Sequence, residues 1–259
     1  MDKETTSHDG TSLAYRVTGQ GPVVVLVSGA LSTGATLAPL AARLADRFTV
    51  VLYDRRGRGA SGDIPPYAVE REVEDLAAVI GAVGGEAALY GISSGGALVL
   101  RAAAGGLPLR RVAVYEPPFA MDDRAVRERE QYTRDLTAAL GRGRRGDAVE
   151  LFLRLTGLAP EMIRNARQSP MWAGLETVAP SLAYDDAVLG DGRVPAHVLA
   201  AIRVPVLSLA GGASPGPLRA AARAVADGVP EGTYRVLAGQ SHMVEPDVLA
   251  PVLAEFFAQ

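Results

Sequence analysis

The chain has 259 residues, 48% hydrophobic and 21% charged, with a formal charge of −3. That length suits one or two domains with a large buried core, and the small negative charge argues against nucleic acid as a partner. Cysteine is absent, which excludes disulfides, thiolate nucleophiles and Cys-ligated metal centres.

Residues 1–8 are polar and lack the apolar stretch of a secretory leader. The longest apolar run, 23–27, is far below the roughly 20 residues that cross a bilayer. Both features predict a cytoplasmic protein with no membrane partner. Residues 11–17 alternate in polarity and read as a hairpin strand near an edge. Residues 23–27, 48–53, 87–90, 111–115, 204–209 and 233–237 are short strand candidates. The strongest are unbroken Val/Leu runs, the pattern of strands buried on both faces of a parallel sheet. Helical patterns follow at 37–45, 69–83, 94–104, 217–226 and 246–257. In 69–83, Val69, Val73, Leu76, Ala77 and Ile80 form one face, with Glu70, Glu72 and Asp75 on another. Strand and helix in alternation predict an α/β fold with a mainly parallel sheet.

Residues 120–202 break this rhythm. They carry helical patterns but no strand, and are far longer than a crossover needs. They read as a helical insertion, with Gly141 to Gly146 as a solvated basic turn inside it. Phe119, Met121, Phe152, Leu153, Met162, Met171 and Trp172 supply its apolar residues, most as core and some toward a pocket.

Gly91-Ile92-Ser93-Ser94-Gly95 is G-x-S-x-G between a buried strand and a buried helix. The motif alone is weak; the absence of any loop around it gives it weight. So tight a turn strains its central residue and exposes Ser93 above the sheet, beside the positive end of the next helix. The plain alternative is a glycine-rich strand–helix turn.

A serine needs a base. Of three histidines, His8 lies in the polar start and His197 in or at the exit of the insertion. His242 follows the last strand, at the sheet edge where parallel-sheet sites gather, and is the candidate base. Three scattered histidines do not suggest a metal site.

Together, Ser28-Gly29, Tyr53-Asp54-Arg55-Arg56-Gly57-Arg58-Gly59, the serine turn and Gly239-Gln240-Ser241-His242 make the chain resemble the α/β-hydrolase superfamily over nearly its whole length. The resemblance implies the α/β-hydrolase fold, with a mostly parallel eight-stranded sheet flanked by helices. It divides the chain into a core (1–119 and 203–259) and a helical cap (120–202) inserted before the last two strands. It also implies a Ser–acid–His triad. Dehalogenases and epoxide hydrolases of this fold use aspartate at the elbow, so Ser93 excludes their alkyl-ester chemistry.

The superfamily usually places its acid after the next-to-last strand. Here that loop, 209–215, has no carboxylate, and Asp227 lies beyond a helix. Glu116 is the substitute: it ends the strand 111–115, and Pro117 is expected to hold it extended, at the carboxyl edge. A subset of haloalkane dehalogenases is similar in this respect. Asp185 and Asp186 are the alternatives, followed by a Ser–His dyad or an inactive relic; the plain reading of Glu116 is a strand-end carboxylate paired with an arginine or capping a backbone amide. Oxyanion donors are expected from the amides of Ser94 and Ala30, with Leu31 as the one-residue alternative; Ser28 stands where the family usually has histidine.

Gly57-Arg58-Gly59-Ala60-Ser61-Gly62 matches G-x-G-x-x-G. However, Asp63-Ile64-Pro65-Pro66 intervenes before any helix, so a dinucleotide site is not expected. The segment reads as a buttress of the elbow, with Asp54 paired to Arg55, Arg56 or Arg58. The leading functional reading is a cofactor-free serine hydrolase of an ester, thioester or lactone of a small apolar molecule, as monomer or homodimer. The alternatives are a non-hydrolytic cyclase, lyase or C–C bond tailoring enzyme of secondary metabolism, and a binding protein without activity.

Overall fold

The computed structural model describes residues 2–259. Eight strands form one sheet in the order β1-β2-β4-β3-β5-β6-β7-β8. They are β1 (Asp2–Thr6), β2 (Ser12–Thr18), β3 (Val23–Val27), β4 (Thr49–Tyr53), β5 (Ala87–Ile92), β6 (Leu109–Tyr115), β7 (Val206–Gly211) and β8 (Gly232–Leu237). β1 and β2 pair antiparallel, as do β2 and β4; every other pairing is parallel.

β1 lies in the segment read from sequence only as a polar start. Its Asp-Lys-Glu-Thr-Thr sequence has no apolar face because it is an outer strand held mainly by backbone pairing. Charged side chains are how such edges avoid further pairing.

The unbroken apolar runs have a direct structural cause. Val25, Val27, Val51, Leu89, Val112 and Val114 pack on one face. Their immediate neighbours Val24, Leu26, Val50, Ala88, Ala113 and Tyr115 pack on the other. Side chains alternate along a strand, so a strand covered on both faces needs apolar residues at every position. The first face is covered by α2 (Val69–Ala82), α3 (Ser94–Ala104) and α10 (Gly216–Gly228); the second by α1 (Ala38–Leu44) and α11 (Pro246–Phe257). Between β6 and β7 run six helices: α4 (Asp123–Gly141), α5 (Arg145–Leu155), α6 (Pro160–Arg167), α7 (Trp172–Val178), α8 (Leu182–Leu189) and α9 (Ala196–Ala201). Phe119 and Trp172 are buried there, whereas Met121, Met162 and Met171 are exposed and not part of its core. Among the described residues, no helix is long and apolar enough to cross a membrane.

Glu72 and Asp75, on what reads as the polar face of α2, are buried. They meet two arginines delivered by the loop after β4. Arg55 donates from Nε and Nη2 to the two oxygens of Glu72, at 2.7 and 2.8 Å. Arg56 donates to both oxygens of Asp75, at 2.7 and 2.6 Å, and to Asp9 at 2.9 Å. Paired forks of this kind are the strong form of the interaction. Asp54 does not join them, contrary to the expected arginine pairing. Its carboxylate accepts the backbone amides of Gly34 and Ala60, at 2.9 and 3.0 Å.

Burial raises the carboxyl of Glu72, but the charge of Arg55 and its hydrogen bonds outweigh this and hold it below its ordinary 4.5. For Asp75, burial prevails over Arg56 and the carboxyl lies above its ordinary value. The two therefore act in opposite directions. The contribution of Glu72 is complete above its unfolded value and is lost as pH falls through its lower native one. Glu72→Ala, which leaves Arg55 short of a buried partner, is expected to cost about 3–5 kcal/mol in urea unfolding at pH 7. Glu72→Gln is expected to flatten the decline in stability as pH falls below the ordinary 4.5.

Candidate active site

The site lies on the carboxyl edge of four neighbouring strands, β5 to β8. β5 passes into α3 through Ser93 alone, at φ 56° and ψ −127°, a region that side-chain-bearing residues rarely occupy. Gly91 and Gly95 let the chain close this tightly: a Cβ on Gly91 would overlap the Gly95 carbonyl, and one on Gly95 would lie 2.5 Å from the carbonyl oxygens of Val27 and Ser28. The Ser93 amide is held by the Tyr115 carbonyl at 2.9 Å.

Glu116 follows β6 and is fully buried. It is not extended, contrary to the expectation from Pro117. Its φ is 46°, the left-handed region. The preference imposed by a following proline is outweighed because this bend is tied down three times. The Glu116 amide donates to the Leu209 carbonyl at 3.1 Å. Oε1 accepts the Gly211 amide at 2.8 Å, and Oε2 lies 2.7 Å from His242 Nδ1. Burial works to raise this carboxyl. The hydrogen bonds from His242 and the Gly211 amide, with Ser214 nearby, outweigh it and hold the group below its ordinary 4.5. Glu116 is therefore ionised at neutral pH.

His242 follows β8, two strands away from β6, and its loop must fold back over the end of β7. Gly211 permits the crossing, because a Cβ there would overlap the Gln240 carbonyl and crowd the Tyr115 hydroxyl. That hydroxyl donates to the Ser241 carbonyl at 2.6 Å, and the Gln240 side chain accepts the Glu245 amide at 2.8 Å. With Nδ1 engaged by Glu116, His242 Nε2 has no partner among the described residues, nor has Ser93 Oγ. The sequence-predicted Ser93, Glu116 and His242 are thus brought to one edge, and Glu116 and His242 are in contact.

The alternative acids lie elsewhere. Asp185 bonds Arg55, Arg58 and the Ser94 hydroxyl, and Asp186 bonds Arg129 and Thr133. Neither touches His242. His8 is at the surface, 3.9 Å from Glu74, and His197 is exposed on α9. No group of His, Asp and Glu among the described residues could hold a metal ion. The 57–62 segment is a loop closed by the Gly57 amide on the Gly62 carbonyl, and the next helix begins only at Val69.

After β3, Leu31 adopts φ 51°. The amides of Ala30, Leu31 and Ser94 donate to no acceptor among the described residues. The Gly29 carbonyl accepts from Arg58 Nη1 and Ser32 Oγ, at 2.6 and 2.7 Å. In a trans peptide the next N–H points the opposite way, which turns the Ala30 amide away from those two groups. Sequence reasoning missed Tyr115 and Gly211, and it paired Arg55 and Arg58 with Asp54 rather than with the carbonyls of Ser28 and Gly29. An arginine-rich run soon after a buried apolar strand was the available signal.

The left-handed turn at Ser93 yields a direct test. Ser93→Gly and Ser93→Ala both remove the hydroxyl, but only glycine relieves the backbone. In thermal or urea unfolding the glycine variant is expected to exceed the alanine variant by about 1–3 kcal/mol.

Residues 24–252 match the model of the alpha/beta hydrolase family. A solved α/β hydrolase from Sphaerobacter thermophilus is 52% identical, with a TM-score of 0.90 over 98% of this chain and 100% of that one. A 2-(acetamidomethylene)succinate hydrolase of Mesorhizobium japonicum is 31% identical over 72% of this chain and 69% of its own. A pimeloyl-[acyl-carrier protein] methyl ester esterase of Stenotrophomonas maltophilia is 34% identical over 62% of this chain and 63% of its own. The chain spans 58% and 63% of the length of the first two curated relatives it matches.

Proposed function

Because the chain belongs to the α/β-hydrolase family, we propose that it is a cofactor-free serine hydrolase acting on an ester, thioester or lactone of a small apolar molecule. The observation that carries this reading is the 2.7 Å contact between buried Glu116 and His242 Nδ1, on the strand edge that also presents Ser93. Glu116 keeps the proton on Nδ1 and leaves Nε2 as the base. Ser93 Oγ attacks the carbonyl carbon as His242 takes its proton. The amides of Ala30 and Ser94 hold the oxyanion. The leaving alcohol or thiol takes the proton from His242. Water, activated by the same histidine, then cleaves the acyl-enzyme and releases the acid.

Residues 120–202 form the cap of this site in our reading. Ala30 and Leu31 of the oxyanion loop pack against the insertion's Tyr132, Leu136, Trp172 and Leu182 cluster, which suits an apolar acyl or leaving group. The name of the Stenotrophomonas relative, an esterase for a methyl ester, agrees with ester chemistry. The displaced acid and Ser28, where the family usually has histidine, motivate the non-hydrolytic alternative; the reach of Glu116 to His242 favours the hydrolytic reading.

A fluorophosphonate probe is expected to label Ser93 in the folded protein, located by peptide mass, and p-nitrophenyl esters are expected to be hydrolysed. Glu116→Gln is expected to lower kcat by about 10²–10⁴, because an amide cannot hold the imidazole in the same tautomer and charge state. Unlabelled Ser93, or full turnover in Ser93→Ala, would refute the proposal.

A further inference from the structure

Of the buried carboxylates that the mechanism above leaves unused, Asp185 is the one bonded to Ser94, beside the candidate nucleophile. Asp185 lies on α8, within the insertion, and is 4% exposed. A single oxygen, Oδ1, takes all its hydrogen bonds: from Arg55 Nη1 at 2.8 Å, Arg58 Nη2 at 2.7 Å and Ser94 Oγ at 2.7 Å. Oδ2 is buried without a partner, as is Arg58 Nε.

Two of these bonds lead to a residue or peptide that the proposed chemistry needs. Arg58, fastened by Nη2 to Asp185, uses Nη1 to grip the Gly29 carbonyl. That carbonyl and the Ala30 N–H belong to one rigid peptide plane and point in opposite directions. Arg55 Nη1 also reaches the Ser28 carbonyl at 3.3 Å, one peptide earlier. On the other side, Ser94 is the first residue of α3, and serine there readily turns its hydroxyl on neighbouring backbone groups. Asp185 draws that hydroxyl to itself, and the Ser94 amide stays unbonded.

We infer that Asp185 is a positioning residue that holds both oxyanion-binding amides, of Ala30 and Ser94, from the insertion side. All three bonds meet on one atom, so loss of the Asp185 carboxylate releases the Gly29 carbonyl and the Ser94 hydroxyl together, while α8 itself stays anchored in the core through Val188 and Leu189. Asp186 is the internal contrast. It is the next residue on the same helix and also buried, but its bonds to Arg129 and Thr133 stay within the insertion.

This inference rests on the proposed role of Ser93, and the experiment separates the two. Wild type, Asp185→Asn, Ser94→Ala and Asp186→Asn are titrated to completion with a fluorophosphonate. Then kcat per titrated site and KM are measured with p-nitrophenyl butyrate. Removing a whole oxyanion donor costs about 10²–10³ in kcat. Misaligning one by loss of Asp185 or the Ser94 hydroxyl is therefore expected to lower kcat at least about tenfold, with KM within about twofold. Asp186→Asn is expected to keep kcat, and Asp185→Glu to recover part of the loss. Were Asp185→Asn not to fold, Ser94→Ala, which leaves every ion pair in place, decides alone. A kcat per titrated site within about twofold of wild type in the folded Asp185→Asn and Ser94→Ala variants overturns the positioning role and leaves the nucleophile untouched. A wild type that neither labels at Ser93 nor turns over the ester overturns the reading of the site, and the positioning role with it.

Discussion

Everything at the catalytic edge is arranged around one buried carboxylate. Glu116 is out of water, and an ionised carboxylate survives there only if it is paired and hydrogen-bonded. One oxygen takes the Gly211 amide at the end of β7, and the other takes His242 Nδ1 from the loop after β8. The side chain thus joins three neighbouring strand ends. The demand propagates outward. Gly211 must lack a side chain so that the histidine loop can cross it, and Tyr115 must carry a hydroxyl to catch that loop at Ser241. Glu116 itself must accept a left-handed backbone to aim its carboxylate along the edge.

That strain is not isolated. Among the described residues, the non-glycine ones with positive φ are Leu31, Ser93 and Glu116. They follow β3, β5 and β6 and carry the candidate oxyanion loop, the candidate nucleophile and the candidate acid. Such conformations persist only where the surroundings over-determine them. On one side the surroundings are a sheet packed on both faces. On the other they are the buried ion pairs of Arg55, Arg56 and Arg58 with Glu72, Asp75 and Asp185. A buried ionic cluster is a weak source of stability but a strong source of geometric specificity when every partner is charged and directional. Here it fixes the carbonyls of Ser28 and Gly29 behind the candidate oxyanion loop, which an apolar core could not orient.

Much of this was legible in the sequence because it rests on local rules. Doubly covered strands must be apolar at every position, a strand-to-helix turn without a loop needs its glycines, and a histidine after the last strand stands at the working edge. Glu116 could be singled out because its strand ends there and the loop after β7 holds no carboxylate. What escaped depends on contacts distant in the chain. β1 is polar because its edge position asks nothing apolar of it. Glu72 and Asp75 look solvated until two arginines from another loop reach them. Asp185 meets Ser94 across 91 residues, and no spacing rule anticipates that pairing. Asp54 looked like an arginine partner because its nearest neighbours are arginines, yet the backbone amides of Ala60 in its own loop and of Gly34 after β3 claim it.

The central claim is that Glu116 sets the tautomer of His242 so that Nε2 serves Ser93 as a base. The most direct measurement is the nitrogen and proton NMR of the His242 imidazole at a pH where the ring is neutral. The account predicts a proton on Nδ1, shifted downfield by its hydrogen bond to the carboxylate, a bare Nε2, and loss of the downfield signal in Glu116→Gln. A proton on Nε2, or a spectrum unchanged by Glu116→Gln, would contradict it.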